Sequence, residues 1–592
     1  LFVDPDSGQL VRSRGDKTES LRIGKDASQL VVDRSSKLAY VANRSRDEIN
    51  VVDYSGSTLQ KRSTIKTKAE PYGVALTPDR KTLLVTTVAV RHLSAYQVES
   101  GKHLWSIEIG PGARGIAIAP SGDQALVTFI STGAVARVLL RQEHKTPHFV
   151  TLDRQVAPPS LATPAFLNRR PVQQSAKINT AFGSDGATVA DMSGSSASAS
   201  NPSASNDAGR RFSRAAFSAT YVGSMAVVPH QESTPQMVSS GNENQGVYGG
   251  GSSFERPIQH RLAFISTKKG GFEQLAKAQI NLHQPRALRY DAARDMLYVA
   301  GYGSDSIIAL AEASRPSIHL AARTKLANPA APCGPTGLDI ADDGTVLAFC
   351  SLSRSIAKVS LGKKNEVNFI EGKSLTKSRF SDSALRGRAL FRMGDSAQMS
   401  TGGVMACESC HPEVRTDGLS WRISGMALQT PMLAGKTIGT HPFKWDGGDK
   451  DIETSLTHTV TRLGGSGINI KQAKDIAAFL GETEAPRTPS VTSRAAVARG
   501  KKLFRSKQVG CTSCHAGQLR TNRKAYDLAG DLNKVDTPAL VGLAASAPYY
   551  HDGSAQTLRD LLLENGSIHG MGNLSKLSDK SVNDLVAYLK TL

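Results

Sequence analysis

Nowhere in the 592 residues does an uninterrupted apolar run approach the ~20 residues that a bilayer-spanning helix needs. Acidic residues are in deficit, 52 Asp+Glu against 72 Lys+Arg, which leaves a formal charge of +20. Such a surface either steers an acidic redox partner or is generally basic with no specific partner, and both readings stay open. No nucleic-acid recognition motif accompanies the basic charge, so nucleic acid is not an expected partner. The first 370 residues contain no cluster of His, Asp and Glu at metal-ligand spacing, which argues against a catalytic centre there. Cysteine is scarce, 6 in all, and the use made of these few organises the chain.

Four of the six fall into the pattern Cys-x-x-Cys-His, once as Cys407, Cys410 and His411 and again as Cys511, Cys514 and His515. With 14 His in the chain, chance gives on the order of 0.001 copies. Two thiols at this spacing can add to the vinyl groups of a haem, and the adjacent histidine becomes its proximal iron ligand. The alternatives are zinc half-sites or a disulfide beside an incidental histidine. Two covalent c-type haems are expected, and their attachment implies export, in a bacterium to the periplasm. The first residue, Leu1, is consistent with a removed targeting peptide. The two remaining cysteines, Cys333 and Cys350, are either disulfide partners or separate buried thiols.

The settings of the two motifs repeat. Leu385-Arg386-Gly387-Arg388-Ala389-Leu390-Phe391 precedes the first, and Ala498-Arg499-Gly500-Lys501-Lys502-Leu503-Phe504 the second. Gln429-Thr430-Pro431 and Asp536-Thr537-Pro538 follow, then Lys444-Trp445-Asp446-Gly447 and Tyr550-His551-Asp552-Gly553. Each half closes on an amphipathic helical pattern. Two mainly α domains are expected, 384–485 and 490–592, each with haem supplying much of its core.

Residues 1–370 carry a different repeat, with alternating apolar residues, a polar turn, then an apolar, β-branched strand. Copies begin at Gln29, Gly73 and Gly115, 44 and 42 residues apart, and return near Arg286 and Thr336. This is the period of four-stranded propeller blades. Five blades are clear, a sixth lies around Ala226-Val227-Val228-Pro229, and Leu1-Phe2-Val3-Asp4 is expected to help close a seventh. The phrases resemble YVTN or YncE-like seven-bladed propellers. A Ser- and Ala-rich interruption, 157–255, is expected to be either a floppy insertion or a segment that orders on a partner. Residues 371–383 read as a linker.

With Ala547-Pro548-Tyr549-Tyr550-His551-Asp552-Gly553 and the closing Leu585-Val586-Ala587-Tyr588-Leu589, the region from Ala384 to Leu592 resembles bacterial dihaem cytochrome c peroxidases and MauG-type enzymes. That resemblance implies two cytochrome c domains about a pseudo-twofold axis. One haem accepts electrons from a small carrier, and the other activates peroxide or oxidises a substrate. It implies that Trp445 passes electrons between the haems, and that Gln429, Ser546 and Pro548 fall where calcium is held. Met426 lies near the place of the family's distal histidine, and Asn565 replaces the methionine of the second haem. By chemistry, Met426, His458, His569 and Met571 are the candidate distal ligands. The rival expectation is a dihaem electron-transfer protein whose propeller docks a partner.

Overall fold

The computed structural model describes the chain except residues 15–16, 143–144, 154–210, 236–255, 269–270, 327–331, 361–365, 370–374, 490–492, 529–531, 533, 566–573 and 575–576. Seven antiparallel sheets arise from the described residues before Leu375 and form a seven-bladed β-propeller. Blade 1 holds Phe2–Asp4, Gln9–Arg14 and Lys17–Arg22, and blade 2 holds Ala27–Asp33, Leu38–Asn43, Glu48–Asp53 and Gln60–Lys66. Blades 3 and 4 run from Pro71 to Glu108 and from Ala113 to Thr151. Blade 5 is built on the long strands Met225–Ser233, Ile258–Lys268 and Gly271–Gln279. Blades 6 and 7 run from Pro285 to Lys325 and from Pro335 to Phe369.

The strand second from the axis is apolar on both faces in most blades, as in Leu83-Leu84-Val85 and Ala125-Leu126-Val127, each fully buried. Neighbouring blades cover both faces, so the period-2 alternation disappears there. It persists weakly on outer strands such as Gln60–Lys66, where only Ile65 is buried. Phe2 of blade 1 stacks on Phe349 of blade 7 at 4.9 Å and joins the ends of the ring. The N-terminal strand therefore belongs to a blade of its own, with two further strands. Phe212–Arg214 and Thr220–Val222 also pair in blade 5, so part of the expected interruption 157–255 is sheet. The rest of that interruption lies outside the described residues.

Cys333 and Cys350 form a disulfide between the entry to blade 7 and its second strand. The expected linker 371–383 is described from Leu375, and its described part is tied to the propeller. Thr376 donates to Asp4, and Arg379 pairs with Asp26 at 3.0 Å.

Two helical units follow. In the first, α1 (Asp382–Arg392) packs on α3 (Ile470–Glu482), with α2 (Ile452–Arg462) between them in sequence. In the second, α4 (Arg494–Phe504) packs on α5 (Asp579–Leu589). Both pairs cross at a glycine. A Cβ on Gly387 would overlap the Asp475 carbonyl, and one on Gly500 the Asp584 carbonyl. Arg386 bridges to Asp475 and Arg499 to Asp584, each through two nitrogens. Among the described residues no helix is long and apolar enough to cross a membrane.

Candidate haem sites

The first motif begins as a single helical turn, Cys407–Cys410, ending at His411. Both thiols are free. Burial pushes Cys407 up to about 12 and Cys410 well above the ordinary thiol range. His411 Nδ1 lies 3.2 Å from the Arg415 carbonyl oxygen, and the Pro431 carbonyl also faces the ring. Carbonyls accept only from N–H, so the proton sits on the side they face and the other nitrogen keeps its lone pair. Burial lowers His411 to about 4, which keeps the ring neutral as a ligand must be.

The second motif repeats this arrangement. Cys511–Ser513 is a 3-10 turn, His515 Nδ1 lies 3.0 Å from the Arg520 carbonyl, and Pro538 takes the role of Pro431. Burial raises Cys511 to about 11 and lowers His515.

These donors fit haem better than zinc. Burial favours the neutral thiol at Cys407, Cys410 and Cys511, the reduced group that adds to a vinyl, whereas zinc binds thiolates. Among the described residues no three His, Cys, Asp or Glu side chains are grouped to hold a metal ion. Nε of Arg462 and Nε of Arg520 are among the buried guanidinium nitrogens with no hydrogen-bond partner. Arg462 acts electrostatically on Cys410 and His411, and Arg520 supplies the His515 acceptor. Both suit the carboxylates of a haem.

The two units are joined reciprocally. Gln429 N donates to the His551 carbonyl at 2.6 Å, and Asp536 N donates to the Trp445 carbonyl at 2.7 Å. Each Asp-Gly loop thus pairs with the other unit's x-Thr-Pro loop. Trp445 Nε1 also donates to Gln429 O at 2.8 Å. The indole side of Trp445 thus meets one loop and its main chain the other. His551 is the symmetry counterpart of Trp445 and is buried, with its ring 4.3 Å from Tyr550.

Of the expected distal ligands, His569 and Met571 lie outside the described residues. Met426 sits at the turn of the Ser420–Ile423 and Met426–Gln429 hairpin. His458 lies on α2 with Nδ1 2.6 Å from Asp449 Oδ1, and its side chain is 62% exposed. The hydrogen bond leaves Nε2 available, and His458 shares a helical face with Arg462.

The calcium expectation does not fit. The Gln429 carbonyl accepts from Trp445, and Ser546 Oγ accepts from the Lys436 ammonium at 2.8 Å. Calcium needs several oxygens free of such partners. At Ser546 a side-chain cation stands instead, and Pro548 follows a cis bond in the same loop.

Sequence reading missed the propeller's hold on the first motif. Glu408, inside the motif, pairs with Arg286 of blade 6, and Ser409 O accepts from Gln231 of blade 5 at 2.8 Å. Glu413 pairs with the fully buried Arg114 of blade 4 at 2.7 Å and accepts from Tyr72 Oη at 2.9 Å. Arg415 and Arg44 share Glu70, and Arg392 binds Asp305 at 2.8 Å. Glu413 and Val414 are both left-handed, at φ 55° and 61°, a costly pair held by these contacts. Acidic residues directly inside and after the first motif, absent from the second, were the available signal.

Comparison with known proteins agrees with the second unit. Residues 497–592 match the family described as Cytochrome c. Hydrazine synthase subunit gamma of Kuenenia stuttgartiensis is 26% identical over 271 residues, which cover 34% of this chain and 76% of that protein. A solved hydrazine synthase structure from the same organism shares 24% identity, with a TM-score of 0.30, over 36% of this chain and 89% of that one. A functionally unknown protein from Desulfotomaculum acetoxidans covers 64% of this chain and 96% of its own at 10% identity and a TM-score of 0.41. The cytochrome c match implies covalent haem c in this second unit. The protein is a seven-bladed propeller carrying a C-terminal cytochrome c domain, with a haem-based redox or electron-transfer function.

Proposed function

We propose that this chain is an exported dihaem c-type oxidoreductase of the peroxidase or MauG kind. The observation that carries this reading is the reciprocal seam, in which Trp445 contacts the Gln429 and Asp536 loops of the two units. Haem supplies the redox chemistry, at one site accepting electrons and at the other activating peroxide or oxidising a substrate. The chain holds each proximal imidazole in one tautomer through backbone carbonyls, buries the first site beneath the propeller, and aligns Trp445 for transfer between sites. The likeness to a hydrazine synthase subunit supports a redox-enzyme context. Disulfide-bonded Cys333 and Cys350 accord with an oxidising compartment such as the periplasm. The +20 charge suits a small acidic redox carrier.

A reductive titration followed by visible absorption, with peroxide added at each stage, tests the reading. A high-spin haem that turns over peroxide is the expected result, and two low-spin haems inert to peroxide reject it. Trp445→Phe, examined by rapid mixing with an oxidant, should slow equilibration between haems while leaving both reduced spectra intact.

The second reading, an electron-transfer protein with both irons six-coordinate, is favoured by one feature. His458 is oriented by Asp449 with Nε2 available, the usual support of a ligating histidine. In that case His458→Ala turns a low-spin first haem high-spin.

A further inference from the structure

The cations of the chain are unevenly placed. Between 485 and 526 there are ten Lys and Arg and no Asp or Glu, which is half of the net +20. Two of the ten are spent on carboxylates, Arg487 on Asp47 and Arg499 on Asp584. Lys501, Lys502, Arg505, Lys507, Arg523 and Lys524 are exposed, and none of these six pairs with a carboxylate among the described residues. Lys501 and Lys502 close the last turn of α4, where the helix dipole favours cations. Lys507, Arg523 and Lys524 lie in loops, where no dipole calls for them. Both loops sit against the second motif. Gly510 N donates to the Ser506 carbonyl at 3.0 Å, which folds 506–510 onto Cys511, and Asn522 donates to the Ser513 carbonyl at 3.2 Å. The six cations thus border the exposed turn of Thr512 and Ser513.

The first unit shows what this face meets when it is covered. One residue beyond the crossing glycine, Lys501 corresponds to Arg388, and five beyond it Arg505 corresponds to Arg392. Arg388 pairs with Asp6 at 2.7 Å and Arg392 with Asp305 at 2.8 Å, both on the propeller. Ser409 of the first motif is bonded to blade 5, whereas its counterpart Ser513 is exposed. Glu408, which needs Arg286 opposite it, is replaced in the second motif by Thr512, so the open copy asks for no cation there. One copy of this helix face is therefore already buried against carboxylates of another folded body, and the second copy is left open.

We infer that the open face docks a small acidic electron-carrying protein, which on the redox reading proposed above delivers its electrons to the second site. Opposite charge speeds the encounter and orients it. A partner seated beside Thr512 and Ser513 lies against the second motif, whereas the propeller covers the first.

The test uses the full haem-loaded chain and reduced flavodoxin, a small acidic flavoprotein, as the probe. Binding measured from about 10 mM to about 0.3 M salt should weaken at least about tenfold over that range. Carbodiimide, which joins an ammonium to a carboxylate in contact with it, should cross-link flavodoxin through Lys501, Lys502, Lys507 or Lys524, read by peptide mass mapping. Lys501→Glu with Lys502→Glu and Lys507→Glu should weaken binding at least about tenfold at low salt, with the melting temperature and visible spectrum unchanged. Lys37→Glu with Lys81→Glu and Lys102→Glu, at exposed lysines of blades 2 and 3, makes the same change of charge and should cost less than about twofold. Equal losses in the two triple variants overturn the inference, as do cross-links confined to other lysines. Binding of anionic lipid vesicles but not of flavodoxin overturns it too. Flavodoxin that docks at this face yet reduces neither haem leaves the docking surface standing and overturns the redox reading instead.

Discussion

The two helical units are near copies, yet one motif is held beneath a propeller and the other faces solvent. Within the first motif Glu408 and Ser409 are buried, while Thr512 and Ser513 at the matching positions are exposed. The helix crossings, the carbonyls behind the proximal histidines and the x-Thr-Pro loops are shared. Of the two motifs, only the first is bonded to the propeller among the described residues. Duplication therefore accounts for ligation, and the propeller accounts for asymmetry. Two equivalent sites acquire different solvent access, and solvent access is one of the levers on a haem's potential.

The largest effect that tests this comparison removes one site at a time. On the two-haem reading, Cys407→Ala with Cys410→Ala, and separately Cys511→Ala with Cys514→Ala, should each reduce covalent haem from two per chain to one, read by intact mass and haem assay. Loss of both haems from either variant would show that the units do not load independently.

Next in size is Arg286→Met, which leaves Glu408 buried without its cation. Removing one partner of a buried pair costs about 3–5 kcal/mol. The expected outcome is early melting of the first unit and faster proteolysis near Leu375, with the second haem spectrum unchanged. Equal damage to both units would mean that the asymmetry described here is not energetic.

Gly387→Ala and Gly500→Ala sharpen the shared part. Each forces a helix pair apart and should cost about 1–3 kcal/mol, with similar losses in calorimetry because the crossings match. A large cost at one glycine only would show that the crossings are not equivalent.

The smallest effect is a pH dependence. Burial raises Asp536 to about 7, whereas the matching residue of the first unit, Gln429, is neutral at any pH. A carboxyl raised in the folded state stabilises fully below its unfolded value of about 3.9 and loses that contribution as pH rises towards 7. Asp536→Asn should therefore raise the second unit's melting temperature at pH 8 and leave it unchanged below pH 4. The helix-crossing carboxylates run the other way. Hydrogen bonds from Arg386 hold Asp475 well below the ordinary carboxylate range, and those from Arg499 hold Asp584 at about 2. Their support is present above pH 4 and lost as the pH falls towards 2, in both units alike.

Much of this organisation was legible in the sequence because covalent chemistry and close packing restrict residue types. Cys-x-x-Cys-His, the crossing glycines and the 42-residue strand period each leave a local mark. The strands Phe212–Arg214 and Thr220–Val222 were hidden because they are short and sit within a Ser- and Ala-rich background. The clamp on the first motif was hidden for another reason. Arg286, Arg114 and Glu70 lie on different blades, and each reads in sequence as an ordinary surface charge. Only closure of the ring brings them to one rim, where Glu408, Glu413 and Arg415 meet them. The calcium reading does not fit because Trp445 bonds the Gln429 carbonyl and the Lys436 ammonium bonds Ser546, neither of which spacing alone can place.

The burial of Glu408 and Ser409 also has a consequence for biogenesis. On the two-haem reading, the attachment machinery must grip the first motif as an open chain, which it cannot do once blades 5 and 6 are seated on it. Modification of Cys407 and Cys410 then has to precede closure of the assembly, whereas Cys511 and Cys514 stay reachable afterwards. The ring of blades acts as a seal on a finished cofactor, and a chain that closes early is committed to a molecule with a single haem.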